Sequence, residues 1–74
     1  MTTTDQAIAG LNIIIDSSDL TKTQACEIAD VSTETLRRFL TRKTTILLTS
    51  LVAVCNAYGH ELEDVLVLGR LALK

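Results

Sequence analysis

Apolar residues recur three and four positions apart from Ala7 to Leu66, and no proline interrupts them. A period near 3.6 puts such side chains on one face of a helix, whereas a half-buried strand alternates every second residue. Glycine occurs only three times in the 74 residues, while leucine and alanine are abundant, so intrinsic propensity also favours helix. The expected fold class is therefore all-α. At this length the chain makes one domain, residues 1–74, around a single modest core. Aromatic side chains are 3% of the total, so that core has to be aliphatic.

The pattern divides into five helical segments with short connections. The first runs from Thr4 or Asp5 to Asp16, with Ala7, Ile8, Leu11, Ile14 and Ile15 inward and Ile13 outside the stripe. After a turn at Ser17, Ser18 and Asp19, Thr21 caps a second helix from Lys22 to Ala29, with Ala25, Ile28 and Ala29 inward. Asp30 and Val31 make a tight connection. Ser32 is placed as the N-cap of a third helix, Thr33 to Leu40, which buries Leu36, Phe39 and Leu40. A fourth, from about Leu47 to Ala57, turns Leu48, Leu51, Val52, Cys55 and Tyr58 inward, and Gly59 ends it. The fifth starts near Glu61, buries Leu62, Val65 and Leu66, and runs to Gly69.

The net charge is −2, yet its distribution is uneven. Between residues 21 and 43, Lys22, Arg37, Arg38, Arg42 and Lys43 outweigh Glu27, Asp30 and Glu34, while both flanks are acidic. A concentration of one sign can mark an interaction face even on an acidic chain. The third helix sharpens this. With Leu36, Phe39 and Leu40 holding it to the domain, Thr33, Glu34, Arg37, Arg38 and Thr41 point outward together.

Several functions are not expected. His60 is the only histidine, with no cysteine or histidine at ligand spacing, so no metal is expected. Glu61, Glu63 and Asp64 belong to a first helical turn, where acidic side chains favour the positive end of the helix dipole. Cys26 and Cys55 have no CxxC spacing and read as reduced, small core residues. A chain this short leaves little room for an active site, so no catalytic residue, cofactor or small-molecule ligand is expected. No apolar run approaches the roughly 18 residues of a membrane span. The start "MTTTDQ" has no basic region ahead of an apolar one, so no secretory signal is expected.

Two short helices joined by a tight turn and followed by a basic segment are the arithmetic of a helix-turn-helix. The stretch "LTKTQACEIADVSTETLRRFL" resembles that motif as it occurs in the lambda-repressor-like family of Cro/CI-type phage and bacterial repressors. Cys26 stands where the family wants a small residue at the helix crossing. Asp30 takes the left-handed turn position, usually glycine. Val31 and Ser32 supply the hydrophobic residue and cap, and Leu36 and Phe39 the apolar pair of the recognition helix. "SLVAVCNAYGHELEDVL" is similar to the family's fourth and fifth helices, so the resemblance covers roughly residues 7 to 68. Lys22 replaces a glutamine often found after the cap of the second helix, and Gln24, two positions later, is not its equivalent.

The resemblance implies a compact five-helix lambda-repressor-like domain with its helix-turn-helix at about residues 21–40. It also implies a sequence-specific regulator of double-stranded DNA, most simply a small Cro-like repressor that binds a palindromic operator as a homodimer. Thr33, Glu34, Arg37, Arg38 and Thr41 would read bases: arginine matches guanine O6 and N7, glutamate can accept from cytosine N4, and a threonine methyl can touch thymine. Lys22, Thr23, Ser32, Arg42, Lys43, Thr44 and Thr45 would contact phosphates. Val67, Leu68, Leu71 and Leu73 are an apolar surplus beyond the fifth helix's inward set, and they are assigned to the dimer seam. The expected location is the cytoplasm of a prokaryotic or phage-infected cell, at the nucleoid. Two alternatives stay open: an antitoxin or restriction-modification controller on the same fold, and an adaptor using the helical face for protein contacts.

Overall fold

A computed structural model describes residues 3–73 as five helices with no strand among them. They are α1 (Thr3–Ser17), α2 (Lys22–Ala29), α3 (Thr33–Leu40), α4 (Leu48–Ala57) and α5 (Leu62–Ala72). Met1, Thr2 and Lys74 lie outside the described residues. One aliphatic core joins all five, formed by Ala7, Ile8, Leu11 and Ile14 of α1, Cys26 of α2, Leu36 and Phe39 of α3, Leu51, Val54 and Cys55 of α4, and Val65 of α5. No described helix is long and apolar enough to cross a membrane.

The ends of α2 and α3 are set by local chemistry. The Thr21 hydroxyl accepts from the Gln24 amide, and the Gln24 side chain accepts from the Thr21 amide, a reciprocal capping box that satisfies two donors at the start of α2. Gln24 therefore has a structural task that its mismatch with the family position did not suggest. Asp30 closes α2 in the left-handed region, at φ 57° and ψ 44°. Its amide donates to Glu27 O, and the Val31 amide to Cys26 O, the paired bonds of a Schellman motif. Two later ends close the same way: Arg42 at φ 64° after α3 and Gly59 at φ 79° after α4. Glycine adopts this backbone without strain, whereas aspartate tolerates it better than most residues and arginine does not. Ser32 stands at the N-cap of α3 with extended backbone, but its side chain makes no capping hydrogen bond.

The longest seam is between α1 and α5, and glycine makes it possible. A Cβ on Gly10 would overlap the Val65 carbonyl oxygen, and one on Gly69 would overlap the Gln6 carbonyl oxygen. The two contacts are one turn apart on each helix and run in opposite senses, so α1 and α5 cross with their backbones touching. Gly69 is thus a buried packing residue inside α5, and the helix continues to Ala72 instead of ending at Gly69.

The expected inward sets hold for α1, α3 and α5 and need correction in α2 and α4. Ile28 is 65% exposed. Ala25, Cys26 and Ala29 carry α2 against the core, and that choice rotates Ile28 off the face. Leu48 is 66% exposed, at the first turn of α4 beyond the edge of the core, while Val54 is fully buried. Because α4 is apolar nearly all round, its periodicity picks out no single face, and packing sets the rotation. Leu68 is half-buried and packs on the core, so it is not free surface for a partner.

Candidate nucleic-acid interface

Leu36 and Phe39 are buried, and this fixes which side of α3 faces out. Thr33, Glu34, Arg37, Arg38 and Thr41 are all exposed on that side, as the spacing requires. Lys43 and Thr44 join Glu34, Arg37, Arg38 and Thr41 around one open depression, so two of the residues beyond the helix are gathered onto the same face.

The charged side chains of this face are paired with one another. Glu34 accepts from Arg37 Nε at 3.1 Å and from Arg37 Nη2 at 2.7 and 2.5 Å, and also from Arg38 Nε at 3.0 Å. Positions 34, 37 and 38 are related by i+3 and i+4, the offsets at which helical neighbours meet. The Arg37 hydrogen bond is the main reason the Glu34 carboxyl lies below its ordinary value, against partial desolvation, with the Arg37 charge and Arg38 adding to the effect. Arg37 is raised in return, by its hydrogen bond to Glu34 and then by the carboxylate charge. Glu34 and Arg37 are therefore both charged at neutral pH. Because the triad is solvent-exposed, it adds little to stability; its consequence is where the guanidinium groups point.

The other candidates separate. The Thr41 hydroxyl donates to the carbonyl oxygens of Arg37 and Arg38 at 3.0 and 3.2 Å, so its proton is committed to the end of α3. Arg42 is paired with Asp5 at the start of α1, which draws its guanidinium away from the α3 face. Thr45 lies on that α1 side too, in a depression shared with Asp5 and Arg42. Thr23, Ser32 and Thr33 line a shallow depression beside the α2–α3 turn, where Glu27 and Asp30 are also present. Lys22 is exposed at the first residue of α2.

Away from this face, burial shifts two groups. Burial pushes the Cys55 thiol up to about 11, so it stays protonated near neutral pH. The Tyr58 hydroxyl is buried without a hydrogen-bond partner among the described residues, and burial, then Cys26, raises its pKa. Cys26 and Cys55 are free, buried cysteines.

Two features of this region escaped the sequence reading. The Glu34 clamp was legible, since "ETLRR" sets one acid three and four residues ahead of two bases. The left-handed Arg42 had no signal, because neither glycine nor asparagine marks it. Compared with protein-family models, with curated proteins and with solved structures, the chain has no match that would assign it to a family.

Proposed function

We propose that the chain is a sequence-specific double-stranded DNA-binding regulator with a lambda-repressor-like helix-turn-helix formed by α2 and α3. The observation that carries this reading is the outer face of α3. An apolar stripe seats the helix, and the opposite side exposes two arginines beside a lysine and threonines. A helix with its side chains is about 10–12 Å across, and the major groove is about 12 Å wide, so α3 can lie in it and bring Arg37 and Arg38 to base edges. Lys43 and Thr44, which share this face, would then contact the phosphate backbone. Such a regulator would work at the nucleoid of a prokaryotic or phage-infected cell, and genomic neighbours would separate a Cro-like repressor from an antitoxin or controller.

Selection of bound sites from a random duplex library tests this directly. A palindromic motif is the expected result; no enrichment favours the adaptor, whose support is the acidic net charge of −2. Arg38→Ala should then cost about 1–3 kcal/mol at the selected site and relax preference at one base-pair position. Equal loss on every sequence would show that Arg38 touches only phosphate. Lys43→Ala should weaken all sequences alike and lower the salt slope by about one.

The proposed regulator pairs through the outer face of α5. Val67, Leu71 and Leu73 are 43%, 59% and 42% exposed. Glu63 lies one turn before Val67 and Arg70 nearly one turn after it, so an antiparallel copy related by a two-fold axis sets Glu63 beside Arg70 twice. The two α3 helices would then read half-sites about 34 Å apart. Ending the chain at Leu68 would also remove Gly69 from its seat on α1, so charges on the surface give the cleaner test. Sedimentation equilibrium should find a dimer for the intact chain and a folded monomer for Val67→Glu with Leu71→Glu. A monomeric intact chain rejects the dimer, and a dimeric variant moves its seam to the exposed Ile13 on α1.

A further inference from the structure

We infer that Glu34 is a positioning and specificity-determining residue, one that presents Arg37 and Arg38 to base edges and disfavours phosphate, rather than itself reading a base. The inference rests on the DNA-binding reading above. Both oxygens of its carboxylate already accept hydrogen bonds: Oε1 from Arg37 and Arg38, Oε2 from Arg37. A cytosine amino group would have to displace charge-assisted bonds from two guanidinium groups to reach them.

The clamp also decides which donors remain. Arg37 commits its Nε–Nη2 edge, so Nη1 is left facing away from the carboxylate. Arg38 commits only Nε among the described residues, and its Nη1–Nη2 end stays open. An open guanidinium end is a flat pair of donors that fits guanine O6 and N7. Long arginine side chains ordinarily lose much rotamer freedom on binding. Here part of that ordering is already present in the free protein, which favours a partner that fits the held geometry.

Charge acts in the same direction. Glu34 lowers the positive charge of the triad from two to one, so fewer counterions are released when the face approaches an arbitrary backbone. A carboxylate set between the arginines also repels any phosphate that approaches them both. Non-specific affinity is lost more than affinity for a site whose bases meet the open ends. Specificity is a difference of affinities, and this repulsive element raises it.

The test compares wild type with Glu34→Gln, an exposed and nearly isosteric change, on a random-sequence duplex pool and on the best site from selection. Glu34→Gln is expected to raise affinity for the random pool roughly threefold to tenfold and to steepen its salt slope by about one. The ratio of selected to random affinity should fall about tenfold. In the free protein, the Nε–H resonances of Arg37 and Arg38 should be distinct and slow to exchange in wild type, and should collapse towards free arginine in Glu34→Gln. A purely structural role would leave the salt slope and the affinity ratio unchanged. Wild type that binds DNA, with an unchanged ratio in Glu34→Gln, overturns this inference alone. Wild type that binds no duplex at low salt overturns the DNA-binding reading together with it.

Discussion

Leu36→Asp is expected to abolish the cooperative folding transition and not merely DNA binding. Leu36 is fully buried at the centre of α3, packed in the core that all five helices share. Truncating a buried leucine costs about 2–5 kcal/mol through lost transfer energy and an unfilled cavity. The aspartate adds the cost of placing a polar or charged group in the apolar interior that Leu36 now fills. A domain of this size has about 4–11 kcal/mol of total stability, at 0.05–0.15 kcal/mol per residue. The two costs together meet or exceed that margin. Leu36→Met, which keeps the volume, should cost under about 1.5 kcal/mol and keep a single transition. Circular dichroism during thermal melting separates the cases, and a normal melt for Leu36→Asp would show that α3 is not seated through this residue. Arg37→Ala and Arg38→Ala should melt close to wild type, because their side chains are exposed and their ion pairs with Glu34 lie at the surface.

The second large effect is expected from one methyl group. Gly69→Ala places a Cβ on the Gln6 carbonyl oxygen, and Gly10→Ala places one on that of Val65. Both obstacles are backbone atoms held in helices, so no rotamer change relieves them. The helices must separate, and the dispersion contacts along the α1–α5 seam weaken with distance. Alanine would otherwise gain about 1 kcal/mol over glycine in a helix. Overpacking usually costs 1–3 kcal/mol, and an immovable neighbour puts these sites at or above the upper end, for a net loss of about 2–3 kcal/mol each. Urea titration should show a lower midpoint with an unchanged slope. The double variant should lose less than the sum of the two, because a seam opened by the first Cβ has already made room for the second. A rise in stability for either single variant would mean that α1 and α5 do not meet through these glycines. Glu34, Arg37 and Arg38 take no part in the seam, so the folded fraction should keep its DNA-binding preference.

What could be read from the sequence was decided by neighbours along the chain. The bounds of α2 and the start of α3 follow from Thr21 and the αL turn at Asp30, and the end of α4 from Gly59, features that act within one turn of the backbone. The exposed side of α3 follows equally directly. Leu36, Phe39 and Leu40 are its only apolar residues, so the 3.6-residue period leaves a single rotation that buries them. Where the period is silent, tertiary contact decides. Apolar residues surround α4, and only its neighbours select Val54 for the core and leave Leu48 out. Ile28 fits a helical stripe, yet burying Ala25 and Cys26 turns it to solvent. Gly10 and Gly69 have unremarkable local settings; their need for a bare Cα comes from backbones that meet across more than fifty residues of chain. Arg42 takes its left-handed backbone at the end of α3 and its ion pair with Asp5 from α1. Capping and periodicity act through bonds and spacings local to the chain, whereas helix rotation and backbone approach depend on surfaces that exist only once the helices have packed.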